Sequence, residues 1–144
     1  MMREVFVSLC AICIILTFSS CRSAKEAVTH GALNGEWNIV EINGSAVVPD
    51  TGKDFPYINF DASAGQVHGN SGCNRMTGSF DRSAKPGKLD LSAIAVTRMM
   101  CLDMTMEQNV LNALKRVKGY KKTGTGEIAL INTYKRPVLV LAPR

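Results

Sequence analysis

A chain of 144 residues, 46% of them apolar and 20% charged, can build one domain with a real core and is too short for two. Its formal net charge of +5 would point to nucleic acid in a cytoplasmic protein. The N-terminus is expected to carry the protein out of that compartment, where the anionic partners would be lipid head groups and cell-envelope polymers, or the charge is simply a soluble surface.

Arg3 supplies a positive n-region, and Val5 to Phe18 is apolar except for Ser8 and Thr17. That run of fourteen residues falls short of the roughly twenty needed to span a bilayer as a helix. A short apolar run with a charged front and small residues behind it is a signal-peptide pattern. Phe18-Ser19-Ser20-Cys21 resembles a bacterial lipobox, with Phe18 where Leu is usual. Residues 1–20 are therefore expected to be a cleaved signal, and Cys21 the lipidated first residue of the mature protein. Membrane contact is then expected through the N-terminal lipid, in a bacterial cell envelope and at its outer membrane. A secretory signal cut further on, leaving Cys21 an ordinary thiol, is the alternative.

Cysteine use follows from this reading. Of five cysteines, Cys10 and Cys13 leave with the signal and Cys21 carries lipid. Cys73 and Cys101 remain, and two thiols in an oxidising compartment favour a disulfide, provided that their Cα atoms lie within about 7 Å.

Residues 21–34 are small and polar and are expected to be a flexible tether, with the domain proper at 35–144. Trp37 to Ile42 has the aromatic and β-branched content of a strand. Asn43-Gly44 then predicts a type I′ hairpin, with Val47-Val48 on the return strand. Tyr57 to Asp61 is a further strand, with Ile58 and Phe60 on one face. Gln66–Gly69 and Met76–Asp81 are the arms of another turn. Lys88–Leu91 and Ile94–Thr97 are short strand candidates. Met106, Val110, Ala113, Leu114 and Val117 recur at helical spacing. Asp103 and Thr105 are candidate N-caps, Thr105 with Gln108 fits a capping box, and Gly119 is the expected stop. Glu127–Asn132 and Pro137–Leu141 close the chain as strands. About seven or eight short strands and one helix predict a mainly β fold, an antiparallel curled sheet or barrel with the helix on one face or end.

No catalytic constellation stands out, so the protein is expected not to be an enzyme and to need no cofactor. His68 lies five residues before Cys73, which leaves a Cys–His dyad open as a minor alternative. His30, His68, Cys73 and Cys101 are irregularly spaced for zinc, and no metal is expected. Gly69-Asn70-Ser71-Gly72 misses the nucleophile-elbow pattern by one residue. Gly124-Thr125-Gly126 lacks the Lys-Ser/Thr tail of a phosphate loop. The basic run Lys115–Lys122 reads as a helix end and a solvated strand, with contact to anionic lipid as the alternative.

Three segments carry a family resemblance. They are Gly35-Glu36-Trp37 with Ile39 leading to Asn43-Gly44, Gly72-Cys73-Asn74-Arg75 with Gly78, and Thr97-Arg98-Met99-Met100-Cys101 with Met106-Glu107. Together they resemble the META domain of HslJ-like bacterial envelope proteins, over residues 35–142. The resemblance implies a small β-rich fold with one helix, an envelope location often as a lipoprotein, and a link to heat induction and antibiotic tolerance. It implies no catalytic residues.

Within these segments Gly72, Asn74 and Gly78 read most simply as turn residues. Arg75 and Arg98 are expected to pair with a carboxylate, among Asp81, Asp90 and Asp103, or else to bind an anion; Asn74, Arg75, Thr97 and Arg98 are thus the candidate anion-binding set. A small-ligand-binding barrel with an arginine at its mouth, and an inhibitor or partner of a secreted enzyme, are the rival functional readings.

Overall fold

The computed structural model describes residues 29–144. The expected signal peptide, Cys10, Cys13, Cys21 and the part of the expected tether up to residue 28 lie outside the described residues.

A 3-10 turn, His30–Leu33, precedes nine strands and one helix. The strands are β1 (Gly35–Ile42), β2 (Ser45–Ala46), β3 (Tyr57–Asp61), β4 (Gln66–Asn70), β5 (Arg75–Ser79), β6 (Ala95–Val96), β7 (Gly119–Lys122), β8 (Ile128–Ile131) and β9 (Pro137–Pro143). The helix α1 is Thr105–Lys115. The strands form one antiparallel sheet in the order β6-β5-β4-β3-β1-β9-β8-β7, with β2 paired to β1. The sheet is not closed into a barrel. The chain after β5 reaches round to the β7 edge through a single bridge, Lys88 to Gly119. Helix α1 packs against β1 and β9.

The core gathers alternate residues of the central strands with one stripe of the helix. Ile58 and Phe60 of β3, Val67 of β4 and Ile39 of β1 are buried, together with Val110, Ala113, Leu114 and Val117. Burying each such aliphatic side chain contributes about 1.5–3 kcal/mol. The Asn43-Gly44 hairpin forms as expected, with φ of 53° and 86° at its two central residues.

Several local expectations are corrected. Leu33, in the stretch read as tether, is fully buried, and the Trp37 indole donates to its carbonyl at 2.6 Å, so the packed domain starts before Gly35. The strand after Asn43-Gly44 is Ser45–Ala46; Val47 is buried just beyond it and Val48 is exposed. Lys88–Leu91 is not a strand, because the Lys88 amide closes a turn onto the Lys85 carbonyl. No Thr105 side-chain cap forms on α1; the Asp103 carboxylate instead accepts from the Thr105 amide at 2.7 Å. Helix α1 tightens at Arg116 and Val117, whose amides donate to the Ala113 and Leu114 carbonyls. Gly119 opens β7, where a Cβ would sit 2.4 Å from the Gly87 carbonyl oxygen.

Candidate functional site

Two of the three signature segments, those of Cys73 and of Cys101, meet at one end of the sheet. Cys73 follows β4 and Cys101 precedes α1, and they form a disulfide with Cα atoms 6.3 Å apart. Beside it the polar side chains point inward. Asn74 is buried at 1% exposure and Glu107 at 5%, and Ser71 is fully buried. Burial of this kind is tolerable only with hydrogen bonds.

The Asn74 amide fills all four of its positions. Its Nδ2 donates to Glu107 Oε1 and to the Met99 carbonyl, both at 3.1 Å. Its Oδ1 accepts from the Thr97 hydroxyl at 2.8 Å and the Met99 amide at 2.7 Å. Glu107 Oε2 accepts from the Asn74 backbone N–H at 2.9 Å and from the Ser71 hydroxyl at 2.7 Å. Thr97 Oγ1 in turn accepts from the Arg75 amide at 3.1 Å. One asparagine thus ties the β4–β5 turn to the 97–101 segment and to the first turn of α1. Asn74 is therefore a tie between three segments and not merely a turn residue.

The motif glycines have different reasons. Gly72 has φ of +111°, and a Cβ there would lie 2.8 Å from Met106 Cγ, so both backbone shape and space demand glycine. Gly78 lies within β5, where a Cβ would meet Ile94 Cγ1 at 3.0 Å. It is a close-approach residue, not a turn residue.

Arg75 and Arg98 depart from the expected pairing. Arg75 is held backbone to backbone against Thr97, whose amide donates to its carbonyl at 3.1 Å, and Arg98 comes next in the chain. Both are exposed, and among the described residues neither guanidinium makes a hydrogen bond or ion pair. The expected carboxylate partners are engaged elsewhere. Asp81 accepts from the Ser83 hydroxyl and amide, and Asp103 from Thr105; these bonds hold both carboxyls below the usual range. Asp90 binds Lys118 at 2.5 Å and is lowered to about 2, first by that bond and then by Ser92.

Next to the buried network the surface is apolar. Met99 is 61% exposed, Met100 98% and Leu102 fully. Asn74, Val96, Thr97, Arg98, Met99, Met100, Met104 and Glu107 border a surface hollow of about 310 Å³.

The histidines take no part. His30 is at the opposite end, its ring centroid 5.7 Å from that of Phe80 and 5.6 Å from that of Tyr120. His68 projects from the exposed face of β4, and both sulfurs of the dyad and zinc alternatives are in the disulfide. The four residues do not form one ligand set.

The sequence profile of the META domain matches residues 29–143. The chain belongs to the META domain family. Among solved structures, this META domain is similar to a protein from Burkholderia xenovorans determined by NMR, at 25% identity over 80% of this chain and 86% of that one, with a TM-score of 0.58. A second NMR structure gives 25% identity over 79% and 93%, with a TM-score of 0.57. A DUF4847 family protein from Bacteroides vulgatus shares the fold at 16% identity over 78% and 94%, with a TM-score of 0.54. A search of curated proteins gave no match.

Glu107 is the site residue that sequence reasoning passed over as a functional group. Its signal was present: it lies three and seven residues before Val110 and Leu114, so a carboxylate falls on the apolar stripe of the helix. Such a carboxylate requires buried donors.

Proposed function

We propose that this META domain is a non-enzymatic binding module, lipid-anchored through Cys21 in a bacterial envelope, that presents the Thr97–Met104 segment to a partner during envelope stress. The observation that carries the reading is the contrast within that segment. Its backbone is pinned by Asn74 and the disulfide, while Met99, Met100 and Leu102 are exposed and Arg98 is unpaired. A rigid backbone with exposed apolar side chains loses little order on binding. Methionine adapts to varied apolar partners, and an unpaired guanidinium beside it can take a carboxylate or phosphate. The rival small-ligand reading draws on the 310 Å³ hollow that Arg98 borders.

Two experiments test this. Cys21→Ser is expected to move the protein from the membrane fraction to the soluble one; mass spectrometry finding unmodified Cys21 in membrane-bound protein would overturn the anchor. A photo-reactive residue at Met100 is expected to give discrete crosslinks in the native envelope. The same residue at Tyr134, 83% exposed on a different loop, is the control. Equal crosslinking at both positions would sink the binding surface.

A further inference from the structure

Methionine is unevenly placed in this chain. Of its seven methionines, Met1 and Met2 lie at the N-terminus, Met76 is buried in the core, and the other four fall between residues 99 and 106. Met106 packs against Gly72. The other three, Met99, Met100 and Met104, border the same 310 Å³ hollow.

We propose that Met99, Met100 and Met104 form a binding site for a soft monovalent metal ion of the Cu(I) or Ag(I) type. Thioether sulfur is a soft, uncharged donor, and it selects such ions over Zn(II) or Mg(II). The thiols that would otherwise compete are locked in the Cys73–Cys101 disulfide. Among the described residues no cluster of three or more His, Cys, Asp or Glu could hold a metal, so borderline and hard ions have no comparable donor set here.

The site is built from two fixed points. Met99 is anchored at both its amide and its carbonyl by Asn74, two residues from a disulfide cysteine. Met104 immediately precedes α1, and its carbonyl accepts from the Gln108 amide at 3.0 Å. The backbones are set, while the three rotatable bonds of each methionine let the sulfurs converge on an ion. Residues of both signs line the hollow, the buried Glu107 and the exposed Arg98. Arg98 opposes a cation, so its removal should strengthen binding.

The test uses the full chain in detergent, with free thiols blocked by N-ethylmaleimide under non-reducing conditions and methionine methyls labelled with carbon-13. Silver nitrate is titrated in chloride-free buffer. Ag(I) is expected to shift the methyl signals of Met99, Met100 and Met104 and to leave Met76 unmoved, while Zn(II) shifts none of them. The triple substitution M99L/M100L/M104L keeps size and apolarity and removes only sulfur; it is expected to weaken Ag(I) binding at least about tenfold. Arg98→Gln is expected to tighten it by about threefold. Methyl signals that do not move with Ag(I), or a triple variant that binds as tightly as the parent, would overturn the site. If the triple variant does not fold, the titration of the parent protein decides alone. The Met100 crosslinks of the binding-module reading are scored without metal, so either idea can fail independently.

Discussion

Where the chain enters the sheet, the rings of Phe60, Phe80 and Tyr120 are buried, with the half-buried His30 ring against the last two, and Asp61 and Asp81 turn the backbone at the surface through Ser63 and Ser83. At the far end of β3, β4 and β5 the arrangement is reversed. There Ser71, Asn74 and Glu107 are inside, and Met99, Met100 and Leu102 are outside. The first end follows the ordinary partition of apolar and polar groups and has no need of a covalent link. The second buries polar groups that are worth little net when satisfied and are costly when not, and it carries the disulfide. The lesson is that the polar core serves to hold a surface loop in one shape. Hydrophobic burial could not do this, because the loop's own apolar residues are left exposed.

Perturbations of the two ends should therefore differ in size. Replacing Cys73 and Cys101 with serine reopens a loop of 28-residue separation. It should lower the unfolding free energy by about 3–4 kcal/mol on the chain-entropy model, read as a shift of the urea midpoint. Asn74→Ala removes the donor to Glu107 Oε1 and the acceptor of the Thr97 hydroxyl and Met99 amide, and should cost about 3 kcal/mol or more. Combined with the disulfide removal, its effect should be less than additive, since both act on the 97–101 segment; strict additivity in a double-mutant cycle would show that the two ties are independent. At the entry end, His30→Ala removes two ring contacts and the bond to the Lys88 carbonyl. A loss of about 1 kcal/mol is expected there. A larger loss than for Asn74→Ala would reverse the comparison.

The smallest effect is electrostatic. Asp90 has a lowered pKa, about 2, through its bond to Lys118, with the two side chains 55% and 43% exposed. The unfolded chain takes up this proton first, so the pair's contribution is present above the ordinary carboxylate range and is lost as the pH falls towards about 2. Solvent screening limits it to about 0.5 kcal/mol or less. Asp90→Asn should flatten the stability profile by that amount between about pH 4 and pH 2, in urea titrations; an unchanged profile would mean the pair contributes nothing.

Most strands could be read from the sequence because their signals are local. Tyr57–Asp61 alternates buried and half-buried positions, and Asn43-Gly44 has few alternatives to a tight hairpin. Lys88–Leu91 misled because Leu89 and Leu91 are buried as a strand's would be, while the backbone is bent by a turn at Lys85. Asn74 misled for the converse reason. Asparagine beside glycine is a usual turn signal, and nothing local reveals that its side chain reaches residues 25 and 33 positions away.

The amino-acid sequence by itself determined most of the strands, the hairpin at Asn43-Gly44 and the apolar stripe of α1, since each rests on periodicity or turn chemistry. Only the tertiary structure decided that the sheet stays open, that Arg75 and Arg98 lack carboxylate partners, and that Asn74 and Glu107 form the interior of the signature. These are contacts between segments far apart in the chain, and their energies depend on burial, which no local pattern of residues encodes.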